Sequence, residues 1–72
     1  MKIAYYPDTD SMYIDLSEKP STESREVSPG VVLDYDEEGN IAGIDIDNAS
    51  RKLNLREFVL NKVPVDKHTI AA

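Results

Sequence analysis

The residues best placed for chemistry lie between Asp34 and Asp45. Asp34-x-Asp36-x-Glu38-Gly39 reproduces the first half of a helix-flanked calcium loop, with Ile41 at the apolar eighth position and Asp45 at the twelfth. Hard cations favour such oxygens, so Asp34, Asp36, Glu38 and Asp45 form one candidate metal set. The run before them is Val31-Val32-Leu33, a strand-type sequence where a calcium loop needs a helix. In an extended strand Asp34 and Asp36 share one side while the turn carries Glu38 elsewhere. An acidic hairpin turn is therefore the preferred reading, and no cofactor is expected.

Acid–base chemistry could draw on Asp8, Asp10, Asp15, Asp34 and Asp36. A working pair requires one acid with its pKa raised by burial, and no apolar setting marks any of these. His68 is the only histidine, there is no cysteine to pair with it, and Ser50 has no base in a recognisable arrangement. Three scattered glycines make no phosphate cradle. Catalysis is not expected. Tyr5, Tyr6, Tyr13 and Tyr35 are candidates of another kind, because a strand tyrosine can anchor a protein interface or cover the edge of a thin sheet.

Two hairpins would position these groups. Lys2-Ile3-Ala4-Tyr5-Tyr6 reads as a strand stopped by Pro7, and Met12-Tyr13-Ile14-Asp15-Leu16 alternates apolar and polar. Ser17 to Ser24 is polar and reads as a loop, with Arg25-Glu26-Val27 a short strand before the Pro29-Gly30 turn. The second hairpin spans Val31 to Ile46, turning through Asp36 to Asn40 with Gly39 in a left-handed position. Ile41 is out of phase with Ile44 and Ile46, which calls for a bulge or bend near Gly43. Asp47 to Ser50 could cap a turn through Leu53, and Asn54 with Glu57 resembles a capping box for a helix ending near Lys62, before Pro64. The expected fold class is α+β, with two consecutive antiparallel hairpins in one twisted sheet and the C-terminal helix on its apolar face. Leu16, Val31, Leu33, Ile44, Ile46, Leu53 and Phe58 are the expected core. Residues 1–62 form a single expected domain, and 63–72 a flexible tail.

Seventy-two residues bury little on their own, and without cysteine a partner chain is the expected stabiliser. A homodimer is one such partner. Net charge is −6, unevenly placed. Residues 1–47 hold twelve acidic and three basic side chains, net −9, and residues 48–72 two acidic and five basic, net +3. An acidic sheet repels phosphate backbones and suits a basic protein partner. No apolar run approaches a membrane span, and without a signal peptide the cytoplasm is the expected location.

The ordered set Tyr6-Pro7-Asp8, Asp10-Ser11-Met12-Tyr13-Ile14, Pro29 to Asp36 with Gly39, and Gly43-Ile44-Asp45-Ile46 with Ala49-Ser50 resembles family 2283 of domains of unknown function, from small bacterial proteins. Asp45 departs from the glutamate more usual there. The resemblance implies a compact antiparallel sheet with a C-terminal helix and brings no catalytic residues. By association with other tiny bacterial families it suggests the antitoxin half of a toxin–antitoxin pair.

Overall fold

The structure, a computed structural model, describes residues 1–71. Ala72, the last residue of the expected tail, lies outside the described residues. Five strands form one antiparallel sheet: β1 (Lys2–Tyr6), β2 (Ser11–Asp15), β3 (Glu23–Ser28), β4 (Val31–Tyr35) and β5 (Ile41–Ile46). Their spatial order is β1-β2-β5-β4-β3, so the last strand made occupies the centre. β1 and β2 form the first hairpin, and β3, β4 and β5 run as a meander whose final strand docks on β2. β3 is longer than the sequence suggests, taking Glu23 and Ser24 from the expected loop into the edge of the sheet.

Each turn uses the chemistry its residues offer. Gly30 has φ 74° and Gly39 φ 84°, a region that favours glycine, and Asp10 reaches φ 52° at the end of the first turn. In the β4–β5 turn the buried Asp36 directs Oδ1 at the backbone N–H groups of Glu38 and Asn40, both at 2.9 Å. The strand irregularity falls where β4 meets β5. Asp34 pairs with Gly43 and Tyr35 with Ile41, leaving Ala42 as the additional residue that restores the phase of Ile44 and Ile46.

One helix follows the sheet, α1 (Ala49–Lys52), four residues long. It is held by tertiary bonds, with Ala49 N–H donating to the Asp10 carbonyl and Lys52 Nζ to the Pro29 carbonyl. The helix expected from Asn54 to Lys62 does not form. Asn54 does act as a local cap, accepting from Arg56 N–H at 3.1 Å, but no helix follows it. An eight-residue helix is unstable unless an apolar face packs. Here Phe58 and Val59 remain 65% and 69% exposed.

The core is correspondingly thin. Ala42, Ile46 and Ala49 are its buried apolar residues. Val31, Leu33 and Ile44 are half-buried, while Leu16, Leu53 and Phe58, expected inside, lie exposed. A single sheet layer covers one side of each side chain and leaves the other uncovered.

Candidate functional site: the acidic face

Residues paired across antiparallel strands share a face. Tyr13 pairs with Asp45 and Asp45 with Val32, while Asp15 and Asp34 both pair with Gly43. Asp15, Asp34 and Asp45 therefore lie on one side of the sheet with Tyr13, joined by Glu26 of β3 and, at the other edge, Lys2. The opposite side carries Ile3, Met12, Ile14, Leu33, Ile44 and Ile46. The sheet thus gathers these acids on one side and leaves the other apolar except for Glu23 and Arg25 at the β3 edge.

Tyr13 organises the acidic face. Its phenol donates to Asp34 Oδ2 at 2.7 Å, and Ser24 donates to Asp34 Oδ1 at 2.6 Å. This chain of bonds starts on β2, passes over β5 and ends on β3. It passes over β5 because residue 43 has no side chain. A Cβ built there would lie 2.0 Å from the Tyr13 hydroxyl and 2.6 Å from its ring carbon. The bond to the Asp34 carboxylate, then burial, then the negative charges of Asp34, Asp15 and Asp45 push the Tyr13 phenol up to about 12. A raised phenol stabilises the fold fully below its unfolded pKa of about 10, and that contribution is lost as pH rises through the folded value. Ultraviolet titration should show one phenol ionising near the upper value. Asp34→Asn is expected to return it toward about 10.

A second bonded group sits at the end of the sheet. Asp10 accepts from Tyr5 OH at 2.8 Å, from Ser50 N–H at 3.0 Å and from Ser50 Oγ at 2.7 Å. These bonds, led by Ser50 Oγ, hold the Asp10 carboxyl below its ordinary range. A depressed carboxyl stabilises the fold above its unfolded pKa of about 4 and loses that contribution as pH falls through the lower folded value. Acid titration of stability should be flatter in Asp10→Asn than in the parent. Ser50 is a linker between α1 and the first turn.

The four acids of the candidate metal set are not brought together. Asp34 is engaged by Tyr13 and Ser24, Asp36 faces its own turn, Glu38 pairs with Lys19, and Asp45 lies exposed on the sheet. Among the described residues no group of three or more His, Cys, Asp or Glu is placed to hold a metal ion. The tyrosines divide as well. Tyr6 and Tyr13 are on the acidic face, and Tyr5 and Tyr35 are on the apolar one, where Arg25 lies 5.7 Å from the Tyr35 ring centre. Sequence reasoning missed Ser24, which no local pattern marks, and read Gly43 as the place of a bulge and not as the gap that admits the Tyr13 phenol.

A cysteine-free, five-stranded antiparallel sheet with one short helix and a charge-segregated face defines a small sheet protein. The chain belongs to the family described as Protein of unknown function (DUF2283), which it matches over residues 2–50. Comparison with curated proteins and with solved structures finds no match. No helix among the described residues is long and apolar enough to cross a membrane.

Proposed function

We propose that the chain is a non-enzymatic, cytoplasmic protein-interaction module whose acidic face receives a basic partner, in the manner of an antitoxin subunit. The observation that carries this reading is the clustering of Asp15, Asp34, Asp45 and Glu26 on one face of the sheet, with Lys2, among the described residues, as the one cation paired into it. The ion pairs among the described residues, Lys19–Glu38 and Arg25–Glu23, involve none of these four acids. Their field is left to act outward, where it would steer a cationic surface into register. Tyr6, 54% exposed, lies at the rim of the same face and offers aromatic area for the contact.

The test is affinity capture of the tagged chain from its native lysate, followed by titration of the recovered partner at increasing salt. A basic protein should be recovered in stoichiometric amount and bind more weakly as salt rises. Charge reversal in Asp15→Lys/Asp45→Lys should weaken binding by roughly tenfold or more. Binding indifferent to both salt and this variant would sink the proposal.

A further inference from the structure

We infer that the opposite, apolar face of the sheet docks a second copy of this chain. The inference uses a different surface from the acidic-face reading and stands independently of it.

The first ground is area. A folded monomer of 8.1 kDa ordinarily exposes about 4,500 Å². This chain exposes 6126 Å², an excess of about 1,600 Å². A standard interface removes about 800 Å² from each partner. Part of that excess belongs to residues 53–71, which are exposed throughout, and part to the uncovered sheet, whose apolar face a second copy would cover.

The second ground is what the uncovered surface is made of. Ile3 is 43% exposed, and Met12, Ile14, Leu33 and Ile44 beside it are only half-buried. No large side chain in the described protein is fully buried. Sheets stack about 10 Å apart with their apolar faces inward, and a second copy supplies the missing layer.

The third ground is charge, and it selects the face. Two copies meeting through the acidic side would oppose Asp15, Asp34, Asp45 and Glu26 with the same four acids. Two copies meeting through the apolar side bring in Glu23 and Arg25 at the β3 edge, which already pair with each other. A two-fold axis through the apolar face thus avoids opposing the four acids to one another.

The experiment is sedimentation equilibrium of the full chain over a wide concentration range, in low and high salt. Dimer mass is expected, with an association that salt does not weaken, since apolar burial is not screened. Ile14→Lys places a charge at the centre of the interface and should dissociate the dimer. Should that variant fold poorly, Ile3→Glu tests the same face at a position already exposed. It should weaken association by roughly tenfold with strand circular dichroism unchanged. Tyr6→Glu, on the other face of the same strand, should leave association within about twofold. A monomer at every concentration overturns the inference. So does a dimer that Tyr6→Glu dissociates as strongly as Ile3→Glu, which would indicate pairing through the β1 edge or the acidic face. Loss of salt-sensitive capture with the dimer intact would count against the acidic-face reading alone.

Discussion

Replacing Gly43 with alanine is expected to destabilise the protein by about 1–2 kcal/mol, and the loss should vanish when Tyr13 is also alanine. The added Cβ would lie 2.0 Å from the Tyr13 hydroxyl, a separation no side chain tolerates. The tyrosine can escape only by swinging outward, which breaks its bond to Asp34 and uncovers β5. A bond to a charged acceptor contributes about 1.5–3 kcal/mol, partly recovered when the freed groups meet water. Glycine within a strand carries a backbone entropy cost of about 0.5–1 kcal/mol relative to alanine. In the Tyr13→Ala background the one remaining close approach is the Ile14 carbonyl oxygen at 3.3 Å, which offsets the entropy gain, so the substitution should be nearly neutral. Urea melts of the parent, both single variants and the double variant close the cycle. Equal loss in both backgrounds would mean that Gly43 is needed for its own backbone and not for the tyrosine.

Asp36→Ala should cost more, about 2–3 kcal/mol. Asp36 is 6% exposed, and its one oxygen satisfies two amides of the β4–β5 turn. Alanine leaves both donors without that acceptor while the Asp36 N–H to Asn40 carbonyl bond still closes the turn. Asp36→Asn retains an acceptor oxygen and should lose less than half as much. Thermal melts of the three proteins give the comparison, and calcium added to the parent should leave its midpoint in place. Equal stability of the alanine variant and the parent would contradict the role assigned to this carboxylate.

The second hairpin was legible because its signals are local. Gly39 in the turn, the alternation of Val31, Leu33 and Tyr35, and the phase slip at Ile41 all report on neighbours in the chain. The slip predicted a bulge near Gly43, and the additional residue is Ala42, one position away. What stayed hidden depends on strand order. Gly43 is explained by Tyr13 only once β2 is known to lie beside β5, and no local pattern says so. The same gap hid the division of the tyrosines between two faces. The expected helix after Asn54 failed for the opposite reason, since its local signals were present and the packing partner was not. Leu55, Phe58 and Leu60 remain exposed, and a cap with an apolar stripe cannot sustain a short helix unaided.

The central position of β5 also bears on how the molecule comes to be folded. The β1–β2 hairpin and the β3–β4 pair each close over short stretches and can form within microseconds. Neither can complete the sheet, because the strand that joins them is the last to leave the ribosome. Pairing of Met12 with Ile46 and of Asp15 with Gly43 closes the longest loop among the strand pairs, and so carries the largest loop-closure cost of the sheet. Until Ile46 emerges, the nascent chain holds two separate halves with open edges, and synthesis of β5 converts them to one cooperative unit.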